Sequence, residues 1–69
     1  MKSIYDVRQF LKKFGTFIYI GDRIADMELM EAELKELYRL QLIGTQDYQM
    51  GIFILRQEAE LEKEKQKNT

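Results

Sequence analysis

The chain has neither cysteine nor histidine, and those two absences remove much of the chemistry open to a small protein. Without cysteine there is no disulfide, and without histidine as well the usual zinc-ligand sets are gone. Acid–base work would fall to carboxylates, lysine and tyrosine. Proline is absent too. No apolar run approaches the ~20 residues of a membrane-spanning helix. Met1-Lys2-Ser3 leads straight into amphipathic sequence rather than a signal peptide, so the expected location is cytoplasmic, with no membrane partner.

What is present fits one small folded domain. Hydrophobic residues make up 45 % of 69 and charged residues 33 %, a balance that separates the chain from disordered sequences. A core of this size typically supplies ~3–5 kcal/mol. Stability must therefore come from helix packing, from oligomerisation, or from both. The net charge of −1 hides an uneven distribution. Residues 1–23 hold five basic and two acidic side chains, residues 24–47 two basic and six acidic, and residues 48–69 four of each. The N-terminal third is basic, although the molecule as a whole exerts no strong field on nucleic acid.

Periodicity divides the chain into helices near 4–14, 22–42 and 45–62. Ser3 with Asp6 resembles a capping box. Ile4, Val7, Phe10, Leu11 and Phe14 form one apolar stripe, Lys12 and Lys13 suit the last turn, and Gly15 suits the C′ position. Asp22 is the natural N-cap of a second helix carrying Ile24, Met27, Met30, Leu34, Leu37 and Tyr38 on one face, with Glu31 and Lys35 as an i,i+4 pair. Gly44 supplies its stop, and Thr45 caps a third helix that is apolar almost all round from Tyr48 to Leu55. Phe10, Leu11, Phe14, Leu34, Leu37, Phe53 and Leu55 are the expected core. The predicted architecture is an all-α three-helix bundle over residues 1–56. Residues 57–69 form a charged helical extension, held only by Ala59 and Leu61, that frays beyond about Glu62 to a disordered tail.

Between the glycines at 15 and 21 lies Thr16-Phe17-Ile18-Tyr19-Ile20, β-branched and aromatic throughout. A strand needs a partner for its ladder, and the chain offers no second strand candidate. The expectation is an extended apolar connector, with Thr16, Ile18 and Ile20 on one side and Phe17 and Tyr19 on the other. One side is core and the other is open to a partner.

The stretches "YDVRQFLKKFGTFIYIGDR" and "ELKELYRLQLI" closely resemble the YqgQ-like family of small bacterial cytosolic proteins. Its most specific shared features are Ile20-Gly21-Asp22 before the second helix and Glu33 to Tyr38, "ELKELY". The resemblance covers nearly the whole chain except the charged tail. It implies an all-helical fold and a cytosolic setting, and it transfers no catalytic residue. Separately, "LYRLQLIGTQDYQMGIFILRQE" is similar to short helical hairpins at the ends of many bacterial proteins, which implies only an αα-hairpin.

Local chemistry gives few openings. Asp22 and Asp26 read as N-cap and dipole complement, and a divalent-metal site would need further ligands from elsewhere. Gly15 to Gly21 lacks the Gly-Lys-Ser/Thr of a phosphate loop. The third helix offers Gln46, Gln49 and Arg56 amid apolar residues, too little for a recognition helix. Single-stranded RNA or DNA needs a basic track beside stacking platforms, and Tyr5, Arg8 and Lys12 share one helical face that Lys13 and Arg23 extend. A protein interface would draw on Phe17 and Tyr19, on Leu29 and Leu40 off the main stripe, and on Met50 and Ile54. The expected function is a non-enzymatic interaction module, protein-binding or weakly self-associating, without cofactor or metal. The alternative is single-stranded nucleic-acid binding through the basic N-terminal helix.

Overall fold

A computed structural model describes residues 1–67, and the C-terminal pair of the expected tail lies outside the described residues. Three helices follow one another, α1 at Ile4–Lys12, α2 at Arg23–Arg39 and α3 at Thr45–Lys67, with no strand among the described residues. The molecule is an all-α three-helix bundle with an irregular connector after α1. The α2–α3 pair forms the main contact, and α1 lies against both. The 41 Å long axis reflects α3, whose 23 residues at ~1.5 Å each span most of it.

The caps explain where the helices begin and end. Ser3 Oγ accepts from the Asp6 N–H at 3.4 Å, and the Asp6 carboxylate reaches back to the Lys2 N–H at 2.8 Å, one residue before the usual capping-box donor. The Thr16 N–H donates to Leu11 O and the Gly15 N–H to Lys12 O, which is a Schellman closure with Gly15 at φ 82°. Helix α1 thus stops at Lys12, short of the expected Phe14. Asp22 caps α2, its carboxylate accepting from the Ala25 N–H at 3.0 Å.

Helix α2 ends at Arg39 rather than Leu42, and the stop is not Gly44. Gln41 takes the left-handed position at φ 62°, with Leu42 N–H donating to Leu37 O and Gln41 N–H to Tyr38 O. That second Schellman turn delivers Ile43 into the core. Thr45 is the first residue of α3 rather than its cap, and its hydroxyl shares a hydrogen bond with the Tyr38 hydroxyl at 3.1 Å. Tyr38 and Tyr48 stack across this turn with ring centroids 4.3 Å apart. At the other end α3 stays helical through Lys67, beyond the expected fraying at Glu62. Arg23 on α2 holds this extension, meeting Glu62 at 3.2 Å and Glu58 at 4.0 Å.

The core holds Val7, Leu11, Met27, Met30, Leu34, Leu37, Ile43, Ile52, Ile54 and Leu55. Gly51 allows the close approach of α2 and α3, since a Cβ there would stand 2.8 Å from Leu34 Cδ1. Three expected core residues are corrected. Phe14 falls in the turn after α1 and is 39 % exposed, its ring tilted at 58° against that of Phe10, which is itself only half-buried. Phe53 is 61 % exposed, because at roughly 100° per residue it lies on the side of α3 away from Gly51 and Leu55. The reverse holds for Ile54, expected at an interface but buried in the core, on the arc of α3 flanking Gly51.

Candidate interaction surface at the connector

Residues 16–20 run without a turn or bend between the Schellman closure at Gly15 and the bend at Gly21, which takes φ 88°. The connector is fixed in place by two polar residues at its centre. Arg8, on α1, donates from Nη1 to the Ile18 carbonyl at 2.7 Å and from Nη2 to Asp26 Oδ2 at 3.5 Å. Asp26, on α2, accepts the Ile20 N–H through Oδ1 at 2.9 Å. Asp26 is 2 % exposed, and no buried side-chain polar atom is left without a partner among the described residues. A third tie joins the Thr16 hydroxyl to Glu33 Oε1 at 3.1 Å. Isolated burial of a carboxylate is costly, and the guanidinium and amide together offset that cost.

The anchoring sets which side chains face in. Thr16 and Ile18 are half-buried, and Ile18 packs on the core. Phe17 and Tyr19 are 74 % and 86 % exposed. The alternation anticipated for the segment therefore holds across 16–19 and fails at Ile20, whose side chain is exposed although its amide is bonded to Asp26. Beside the connector lies an open cavity of about 330 Å³, lined by Arg8, Leu11, Lys12, Phe17, Tyr19 and Met30 among others.

The basic residues proposed for single strands are divided by the fold. Arg8 is internal to the anchor, and Arg23 faces the α3 carboxylates. Tyr5, Lys12 and Lys13 are exposed, and Lys12 borders the cavity with Phe17 and Tyr19. Of the apolar interface candidates, Leu29, Leu40 and Met50 are exposed on the helices, separate in sequence from the connector pair. Asp26 was legible only as a dipole complement. Its sequence signal was its place in the Met30, Leu34 and Leu37 stripe, where a carboxylate must find a buried partner. A second charged pair, Glu36 with Arg39, lies elsewhere, at the C-terminal end of α2. There the Arg39 guanidinium hydrogen-bonds Glu36 and holds its carboxyl below the usual range. No group of acidic residues among the described residues is placed to hold a metal ion, and no helix there is long and apolar enough to cross a membrane.

The connector and its anchors lie within the residues that comparison with known proteins matches. The Bacillus subtilis (strain 168) protein with the printed name "Uncharacterized protein YqgQ" is 43 % identical over 60 residues, covering 87 % of this chain and 84 % of its own length. The YqgQ-like family model matches residues 1–61, from before the α1 cap to the Arg23–Glu58 contact and beyond. The chain belongs to the YqgQ-like family.

Proposed function

We propose that this protein is a non-enzymatic, cytosolic interaction module whose working surface is the connector, with Phe17 and Tyr19 as its contact residues. The observation that carries this reading is their exposure on a segment that the protein itself holds rigid. A floppy loop with two exposed aromatics would lose much of their value to ordering on binding. Here Arg8, Asp26 and Glu33 have fixed the backbone already. Burying a large apolar side chain contributes ~1.5–3 kcal/mol, and the folded chain leaves both of these in water. Aromatic anchors on a pre-ordered surface are the common currency of protein interfaces.

The composition supports a binding role over catalysis, because the well-placed ionisable groups have structural duties. Asp26 and Arg8 hold the connector, Glu31 pairs with Arg56 and Lys35, and Glu33 holds Thr16. The single-strand reading retains Lys12 and Lys13 beside the aromatics but finds Arg8 and Arg23 already engaged. The test is photo-crosslinking in living cells from position 17 or 19, with a Phe17→Ser/Tyr19→Ser double variant as the competitor background. Protein adducts that the double variant fails to compete away, while melting like the parent, are the expected result. Adducts competed equally well by both chains would overturn the reading.

A further inference from the structure

The main chain of the connector has one side engaged and one side free. In an extended segment, alternate residues turn their N–H and C=O groups to opposite lateral sides. The Thr16 N–H donates to Leu11 O, the Ile18 carbonyl accepts from Arg8, and the Ile20 N–H donates to Asp26. Each of the three even-numbered residues thus has one main-chain group bonded to α1 or α2. Among the described residues the N–H and C=O groups of Phe17 and Tyr19 have no hydrogen bond, and the alternation would turn them the other way. They form a short edge, five residues long, with no charge and no proline to blunt it.

We infer that a second copy of this chain pairs with this edge, the two connectors meeting antiparallel about a two-fold axis through Ile18. The inference rests on the interaction reading above and names its partner. The edge is complementary to itself in a single register. With Ile18 opposite Ile18 of the other copy, Phe17 stands opposite Tyr19 and Tyr19 opposite Phe17. Each such pair exchanges two main-chain bonds, so the N–H and C=O groups of Phe17 and Tyr19 in both copies are satisfied. The same register sets Phe17 beside Tyr19 of the other copy twice, and aromatic cross-strand pairs stabilise antiparallel ribbons. A two-stranded ribbon of free peptide is marginal in water. Here each strand is fixed beforehand by Arg8 and Asp26, so less order is lost on pairing. A one-residue slip would turn the bonded, inward-facing groups of Thr16, Ile18 and Ile20 toward the partner, which excludes that register.

The experiment follows individual amides of the full chain by hydrogen exchange across protein concentrations, with sedimentation on the same samples. The Phe17 and Tyr19 amides should exchange freely in dilute solution and become protected as dimer accumulates. The Ile20 amide, already bonded to Asp26, should change little. Tyr19→Pro deletes one donor per copy and should weaken the dimer about tenfold beyond Tyr19→Ala. Should the proline variant fail to fold, the exchange profile of the unaltered chain decides. A dimer whose Phe17 and Tyr19 amides still exchange freely would overturn the inference while leaving an interaction module on another face. A strict monomer into the millimolar range would overturn it too. The interaction reading would then depend on crosslinked protein partners, and without those it would fall separately.

Discussion

At the scale of single residues, Asp26 and its partner Arg8 tie the connector to two helices at once. Asp26 Oδ1 holds the Ile20 amide and Oδ2 meets Arg8, which in turn holds the Ile18 carbonyl. Removing the carboxylate leaves the Ile20 N–H without a partner and the partly buried Arg8 guanidinium with the Ile18 carbonyl alone. A hydrogen bond to a charged group contributes ~1.5–3 kcal/mol, and Arg8 keeps some access to solvent that softens its share. Asp26→Ala should therefore cost about 2–3 kcal/mol in denaturant unfolding. Its more specific signature is local: the Ile20 amide should exchange much faster than the amides of Leu34 or Leu55, whereas a merely global loss would speed them alike. Uniform acceleration would mean that the connector does not depend on this anchor. The Glu36–Arg39 pair makes a useful contrast. Its lowered carboxyl favours the folded chain above the ordinary glutamate range and ceases to do so as pH falls through the lowered value. Both partners are exposed, so salt screens the effect.

At the scale of elements, what was legible in the sequence was what is decided locally. The cap residues Ser3 and Asp22 and the C′ glycine at 15 sit where their side chains or lack of one demand, and each was readable from its neighbours. The end of α2 was not, because Gln41 adopts a conformation that glycine would signal and the nearby glycine does not take part. Burial of Ile43 and the stacking of Tyr38 on Tyr48 hold that turn instead, and these are contacts between elements. The same limit explains Phe53 and Ile54. Along an α3 that is apolar nearly all round, periodicity offers several faces, and only docking against α1 and α2 selects one. Gly51 marks that selected face. Alanine there gains up to ~1 kcal/mol of helix propensity, but its methyl meets Leu34, which is fully buried and has little room to move. Overpacking of this kind costs ~1–3 kcal/mol. Gly51→Ala should therefore destabilise by about 1 kcal/mol and lower the melting temperature by about 4–8 °C. A rise in melting temperature would show that α2 and α3 are free to separate slightly at this crossing.

At the scale of the whole molecule, the distribution of charge decides how far the single-strand alternative can reach. The N-terminal third carries Lys2, Arg8, Lys12, Lys13 and Arg23, and its sequence alone offers five cations to a phosphate backbone. Folding withdraws two of them. Arg8 is turned inward to Ile18 and Asp26, and Arg23 lies between Glu58 and Glu62, whose carboxylates would repel a nearby phosphate. Three lysines remain. For single strands the logarithm of affinity falls with the logarithm of salt at ~0.7 per phosphate neutralised. Five contacts would give a slope near −3.5 and three no more than about −2. A titration of the unaltered chain with labelled single-stranded RNA and DNA should therefore show binding weaker than ~10⁻⁴ M near physiological salt, with a slope no steeper than about −2. Lys12→Ala should flatten that slope by roughly one contact, while Arg8→Ala should loosen the connector and leave the slope unchanged. A slope near −3.5 that flattens on Arg8→Ala would mean that the arginine leaves its anchor to meet the strand. The connector would then be a nucleic-acid switch rather than a fixed protein-binding edge.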